Sequence, residues 1–66
     1  MQIVINGEDK EISSPATLRD LIQKLDLKED RIAVELNREI VRRDRWAQTQ
    51  LQAKDQLEIV QFVGGG

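Results

Sequence analysis

In the first stretch of the chain, MQIVIN (residues 1–6), the apolar residues Met1, Ile3 and Ile5 occupy alternate positions. The alternation places its odd-numbered residues on one face, and its β-branched side chains favour a strand. Asn6-Gly7 follows directly and is a strong signal for a two-residue hairpin. We therefore predict a second, antiparallel strand at about residues 9–13, with Ile12 turned inward and charged side chains that suit a sheet edge.

A different spacing follows, in which apolar residues recur at the three- and four-residue intervals of one helical face. The residues with this spacing are Leu18, Leu21, Ile22 and Leu25. Thr17 stands where a capping residue belongs, and Asp20 three positions later completes a variant of the capping box. The sequence thus predicts one helix, and the polar segment at residues 28–31 interrupts the pattern.

Strand patterns return in the second half of the chain. Three further strands are predicted, at residues 32–37 (IAVELN), at residues 39–42 and at residues 56–63 (QLEIVQFV). Asn37-Arg38 predicts a turn between the first two of these. The segment before the last strand has no clean period, so we expect a loop with a short helical turn, held by Trp46 and Leu51 packing on the core.

This order of elements predicts an α+β fold. The first and last strands are the most apolar, so we place them side by side at the centre of the sheet. Parallel pairing suits them, because the helix and the later strands supply the long crossover that parallel neighbours need. The result is a ubiquitin-like β-grasp arrangement, a mixed sheet of four to five strands with one main helix on one face. A chain of 66 residues has room for one such domain, residues 1–63, followed by a flexible glycine tail, residues 64–66.

Composition narrows the classes of function. The net charge of -2 gives no electrostatic reason to expect nucleic-acid or anionic-membrane binding. The chain has no cysteine and no histidine, which excludes thiolate or imidazole metal sites and thiol or imidazole catalysis. The run Ile3-Val4-Ile5 is too short for a signal-peptide core or a membrane span. We expect a cytoplasmic protein that binds no metal, and so small a core leaves little room for an enclosed active site.

The last predicted strand carries apolar residues on both faces. If Leu57 and Ile59 point inward, Val60 and Phe62 point to the side of the sheet that the single helix does not cover. Val4 on the neighbouring strand shares that side. Contiguous apolar surface on a small protein usually marks an interface, so we predict a partner-docking surface there. The residues assigned to it are Val4, Val60, Phe62 and Val63.

Directly after this strand comes the glycine tail. Extended residues span ~3.3–3.6 Å each, so residues 63–66 would reach about 13–14 Å from the domain. Gly64 and Gly65 have no side chains to clash, so we expect them to thread a narrow channel in a partner. The reactive group that we predict at the tip is the carboxylate of Gly66.

Four stretches carry a family resemblance along the whole chain. They are the opening MQIVING, LNREIVRRDRWA (residues 36–47), DQLEIV (residues 55–60) and the terminal VGGG (residues 63–66). Together they resemble the ThiS family, the sulfur-carrier proteins of thiamin biosynthesis within the ubiquitin-like β-grasp group. Arg42 and Lys54 depart from the proline and glycine that are frequent in the family, and both lie in predicted turns.

The resemblance implies a carrier on which other enzymes act, with no cofactor of its own. A ubiquitin-activating-like adenylyltransferase would use ATP and Mg to convert the carboxylate of Gly66 into a glycyl adenylate. Sulfur from a persulfide donor would displace AMP and leave a thiocarboxylate, so that the last residue becomes 1-thioglycine. The carrier would then dock on thiazole synthase and donate this sulfur to the forming ring.

Other interpretations use the same residues. The small subunit of molybdopterin synthase and a ubiquitin-like modifier would share the activated glycine, whereas a plain interaction module would use the open sheet face alone. A nucleic-acid interpretation rests on a cluster of arginines around Trp46, namely Arg38, Arg42, Arg43 and Arg45. We interpret this cluster instead as a solvated loop in which Trp46 anchors the core.

Overall fold

In the computed structural model, which describes residues 1–13 and 17–62, the N-terminal hairpin forms as its sequence predicts. Strand β1 (Gln2–Ile5) pairs antiparallel with strand β2 (Glu8–Glu11). The turn residues Asn6 and Gly7 have φ angles of 51° and 82°, the left-handed conformation that a type I′ hairpin turn requires at both positions. Strand β2 ends slightly earlier than predicted, and Ile12 after it is half-buried against the core.

The helix begins at the predicted cap. Helix α1 comprises Leu18–Lys24, and the hydroxyl of Thr17 accepts a hydrogen bond from the amide of Asp20 at 3.1 Å. The amide of Thr17 donates to the carboxylate of Asp20 at 3.2 Å, so both halves of the capping box are present. Three residues of the predicted apolar stripe are buried: Leu18, Leu21 and Ile22.

The end of the helix differs from the prediction. Leu25 was expected on the buried stripe, but it is the C-terminal cap of α1 and is 41% exposed. The chain takes a left-handed conformation at Asp26, φ 58°, so it leaves the helix before Leu25 can complete the stripe. A 3₁₀ turn at Glu29–Arg31 follows, where the sequence indicated only an interruption, and Arg19 of the helix pairs with Glu29 at 3.6 Å.

Within the described residues, five strands form one sheet in the order β2-β1-β5-β3-β4. Strand β3 is Ile32–Leu36, β4 is Glu39–Ile40 and β5 is Gln56–Gln61. Strands β1 and β5 are parallel neighbours, and β3 pairs antiparallel with β4 and β5. This is the predicted β-grasp architecture, with the last strand of the chain at the centre of the sheet.

The core lies between the sheet and the helical elements. Its buried apolar residues are Ile3, Ile5, Leu18, Leu21, Ile22, Ile32, Val34, Trp46, Leu51, Leu57 and Ile59. Trp46 belongs to a second 3₁₀ helix, Arg43–Gln48, and is 2% exposed, with its indole N–H donating to the carbonyl of Val41 at 2.9 Å. Trp46 is therefore the predicted core anchor and offers no aromatic face on which a nucleic-acid base could stack.

Candidate functional site

The two faces of strand β5 differ in what covers them. Leu57 and Ile59 are buried in the core, whereas Val60, which points the opposite way, is 56% exposed. Phe62, the next residue but one, is also 56% exposed. Since strand residues two apart share a face, these two apolar side chains lie together on the open face, as predicted.

A third residue completes an apolar surface there. Ala33 of β3 lies directly opposite Val60 in the antiparallel register. The amide of Phe62 donates to the carbonyl of Arg31 at 2.7 Å, so the extended pairing continues past the end of β5. We call Ala33, Val60 and Phe62 the open-face patch. It occupies the end of the sheet from which the chain continues into residues 63–66.

An acidic row borders the open-face patch. Glu58 of β5 lies directly opposite Glu35 of β3, and Ile40 of β4 lies opposite Glu35 on its other side. Both glutamates are exposed, and Ile40 is 76% exposed. Like charges directly opposite each other destabilise a sheet. The register thus sets an unfavourable charge pair beside an unfavourably exposed apolar patch.

Val4 shares the open face but lies apart from the patch. It is directly opposite Gln56 in the parallel register, whereas Val60 lies four residues further along β5. At a rise of roughly 3.3 Å per residue, this separates the two levels of the sheet by about 13 Å. Val4 is also half-buried. Val4 therefore lies on the predicted face but at a different level of the sheet from Val60, and its part in docking stays a prediction.

A shallow cavity of about 230 Å³ adjoins Phe62. Its lining residues are Asp26, Leu27, Lys28, Arg31, Ile32, Gln61 and Phe62. Pockets that enclose a drug-sized ligand start at roughly 300 Å³, so this recess suits a side chain of a partner better than a bound small molecule.

Two kinds of feature are absent from the described ranges, 1–13 and 17–62. No cluster of three or more acidic, histidine or cysteine side chains there has the geometry to bind a metal ion. No helix within the same ranges has the length and apolar character to cross a membrane. The predicted site residues Val63, Gly64, Gly65 and Gly66 lie outside the described residues.

Sequence reasoning missed part of the site. It identified Val60 and Phe62 from the alternation of β5, but it did not identify Ala33, Glu35 or Glu58. Their juxtaposition depends on the register between β3 and β5. The alternation of IAVEL in β3 was a signal for the outward direction of Ala33 and Glu35, but it carries no information on their partners.

Three comparisons place the chain among known proteins. It is 42% identical over its whole length to a thiazole synthase of Paramagnetospirillum magneticum, of which it covers 20%. It is 33% identical to the sulfur carrier protein ThiS of Escherichia coli, with both chains fully covered. The crystal structure of the thiamine biosynthesis protein ThiS from Geobacter metallireducens superposes with a TM-score of 0.86 at 26% identity, again covering both chains fully.

The chain spans only a fifth of the length of that thiazole synthase but the full length of the two ThiS proteins. The sequence model of the ThiS family matches residues 3–66, which include β1 apart from Gln2, the other strands and the helix that the structure describes, and the open-face patch. The chain therefore belongs to the ThiS family.

Proposed function

We propose that the protein is a sulfur carrier that supplies sulfur for thiazole formation in thiamin biosynthesis. Membership of the ThiS family supports this assignment, as do the names of the relatives, which include two curated sulfur carrier proteins. The chain acts in this proposal as a protein co-substrate, and partner enzymes in the cytoplasm carry out the catalysis.

The open-face patch is the structural observation that carries the proposal. Val60 and Phe62 are each more than half exposed, although Val60 belongs to the central strand of the sheet and Phe62 follows directly after that strand. A contiguous apolar surface of this kind favours association with another protein. Because the patch lies at the end of β5, a partner docked on it would have residues 63–66 directly beside its own surface.

The proposed chemistry resides in the carboxylate of Gly66. A carboxylate oxygen attacks the α-phosphorus of ATP, which forms the glycyl adenylate and releases pyrophosphate as the Mg complex. The terminal sulfur of a persulfide then attacks the acyl carbon, and AMP leaves with the bonding electron pair. The product is an acyl disulfide. A second thiolate attacks its outer sulfur, so that a new disulfide forms and the thiocarboxylate of Gly66, 1-thioglycine, is released.

Three partners follow from this chemistry: an adenylyltransferase of the ubiquitin-activating kind, a persulfide sulfur donor and thiazole synthase. The relative from P. magneticum supports thiazole synthase as a partner. That protein carries the name thiazole synthase, and a fifth of its length is similar to this chain. The acidic row of Glu35 and Glu58 beside the patch would suit a partner surface with basic residues around an apolar recess. Gly64 and Gly65 would pass through the partner's channel.

The thiamin branch is favoured over the alternatives that share its chemistry. The sulfur carrier relatives and the superposed structure carry ThiS or thiamine names, and no such observation favours the molybdopterin synthase subunit or a lysine-attached modifier. A plain interaction module would explain the open-face patch but would assign no role to Gly66.

Mass spectrometry of the intact protein tests the proposal. The full chain would be incubated with the adenylyltransferase, MgATP and a persulfide donor protein. We expect a mass shift that corresponds to one oxygen replaced by sulfur, localised to the C-terminal peptide. A variant lacking Gly66 is the matched control, and it should fold with the same circular dichroism and gain no sulfur. The proposal is wrong if the full chain gains no sulfur, or if the truncated chain supports thiazole formation equally well.

A further inference from the structure

Two asparagines hold opposite ends of strand β5. Asn6 and Asn37 each open a two-residue turn, and each has a φ angle of 51°. In both cases the side-chain amide bonds to the backbone of β5 instead of to its own turn. The formation of the two turns does not by itself explain these side-chain bonds.

Asn6 replaces a strand residue on the β1 side of β5. Its Oδ1 accepts a hydrogen bond from the amide of Ile59 at 2.7 Å, and its Nδ2 donates to the carbonyl of Ile59 at 3.1 Å. Its own backbone amide donates to the carbonyl of Leu57 at 2.8 Å. The side chain thus makes the two hydrogen bonds to Ile59 that the backbone of β1 would have made if β1 had continued.

Asn37 likewise bonds to the backbone of β5, at the start of the strand. Its Oδ1 accepts from the amide of Gln56 at 3.0 Å, and its backbone amide donates to the carbonyl of Gln56 at 2.7 Å. Its Nδ2 donates to a carboxylate oxygen of Asp55 at 3.1 Å. Asn37 therefore fixes the start of β5, whereas Asn6 fixes a point close to its end.

The position of Asn6 matters because β1 is short. The ladder between β1 and β5 pairs only Val4 with Gln56 and Ile5 with Leu57. Within the described part of the chain, the side-chain amide of Asn6 makes the hydrogen bond on this edge that lies furthest along β5. It bonds to Ile59, three residues before Phe62. The other edge of β5 is held by β3 as far as Gln61.

We propose that Asn6 is a positioning residue for the carrier reaction, an inference that rests on the proposed function. Its side-chain amide holds the edge of β5 that faces β1. The end of the strand is thereby fixed on both edges and presents Val60 and Phe62 in a single arrangement. A partner then meets a preorganised surface and need not order it during binding.

Matched glycine substitutions test this role, since Asn6→Gly and Asn37→Gly both keep a left-handed turn residue at no steric cost. Each removes an amide that bonds to β5, so both should lower the urea midpoint. In steady-state assays with the adenylyltransferase and MgATP, Asn6→Gly should raise the KM for the carrier about threefold to tenfold, a change equivalent to about one net hydrogen bond, with little change in kcat. Asn37→Gly should leave that KM within about twofold.

Amide hydrogen exchange gives a readout that needs no partner. Asn6→Gly should speed the exchange of Ile59 and Phe62 well beyond the change expected from the lower global stability, while Asn37→Gly should do so only at Gln56. If Asn6→Gly does not fold, Asn6→Asp keeps the acceptor for the amide of Ile59 and tolerates the left-handed backbone. It should then give an intermediate KM.

The outcomes separate the two proposals. A wild-type chain that is never adenylated would contradict the proposed function, while the exchange of Phe62 would still test whether Asn6 holds the edge of β5. Unchanged exchange at Phe62 in Asn6→Gly would overturn this hold whatever the assay shows. Equal KM values for the two glycine variants would overturn the positioning role and leave Asn6 with a structural one.

Discussion

The same strands have a covered face and an open face, and the two faces follow opposite rules. On the covered face, Leu57 and Ile59 are buried beneath α1 and Trp46. On the open face, Val60 and Phe62 are more than half exposed beside two like charges. The first arrangement is what folding stability favours, and the second is what it disfavours. Folding stability therefore does not explain the open-face patch, and we propose that it serves association with a partner.

This division lets one small sheet serve two purposes. Fully burying a large apolar side chain contributes roughly 1.5–3 kcal/mol to the free energy of unfolding. Most of this contribution comes from the side chains on the covered face. The open-face patch is mostly exposed, so it contributes far less to folding and can change without loss of the fold. Substitutions on the two faces should therefore separate cleanly into effects on stability and effects on binding.

The largest effect is expected on the covered face, at Trp46. Trp46→Ala removes the most voluminous of the fully buried side chains and leaves the carbonyl of Val41 without its hydrogen bond. A loss of about 3–5 kcal/mol is expected for such a truncation, which approaches the whole stability of a domain this small. Urea unfolding followed by circular dichroism would measure it.

The matched variant on the open face is Phe62→Ala. Because Phe62 is 56% exposed, its truncation should change the free energy of unfolding by no more than about 0.5 kcal/mol. If Phe62→Ala costs as much as Trp46→Ala, the two faces are not energetically distinct and the comparison fails.

The next largest effect is expected on binding. Phe62→Asp places a charge in the open-face patch, and it should weaken association with the adenylyltransferase by about tenfold or more, as for a central interface residue. Isothermal titration calorimetry would measure the dissociation constant. The unfolding midpoint should stay close to that of the wild type.

Ile40→Asp sharpens this test, because Ile40 is more exposed than Phe62 but lies outside the patch, next to Glu35 at the β4 end of the acidic row. Its effect on the dissociation constant should be about threefold or less, as at the edge of an interface. Equal weakening by both variants would contradict a docking surface centred on Val60 and Phe62, and would extend it across β4.

The smallest effect concerns the acidic row. Glu58→Gln relieves the repulsion with Glu35, so it should raise the free energy of unfolding by about 0.2–1 kcal/mol. The same change should slow association with a basic partner surface, most clearly at low ionic strength. Urea unfolding and stopped-flow mixing at two salt concentrations would measure the two effects.

Glu39→Gln is the control for charge alone. Glu39 is exposed on β4 and lies opposite the uncharged Leu36, so its removal changes the net charge equally without relieving a directly opposed pair. Should Glu39→Gln stabilise the protein as much as Glu58→Gln, the gain would come from net charge and the cross-strand repulsion would have no special role.

Local sequence signals predicted the parts of the fold that depend on neighbouring residues. Asn6-Gly7 specified its turn because both positions require a left-handed backbone, and Thr17 with Asp20 specified the start of the helix. The predicted burial of Leu25 was wrong, because the spacing of apolar residues does not show where a helix ends. The left-handed conformation of Asp26 ends α1 at Lys24, with Leu25 as its C-terminal cap.

Contacts between distant segments could not be predicted in the same way. The placement of Val4 opposite Gln56, and of Glu58 opposite Glu35, depends on register, and several registers satisfy the same alternation. The amide of Asn6 bonds to Ile59, 53 positions away. Nothing in the local sequence around either residue indicates that bond.

The parallel pairing of β1 with β5 has a consequence for how the protein is made. Strand β1 cannot complete its pairing until β5 is present, because Ile5 lies beside Leu57. Closing so long a loop delays the contacts that stabilise the sheet. During synthesis, the nascent chain therefore lacks the central strand of the sheet until β5 has been translated. A product truncated before Val60 lacks both Val60 and Phe62, so it lacks the surface on which we propose that a partner docks.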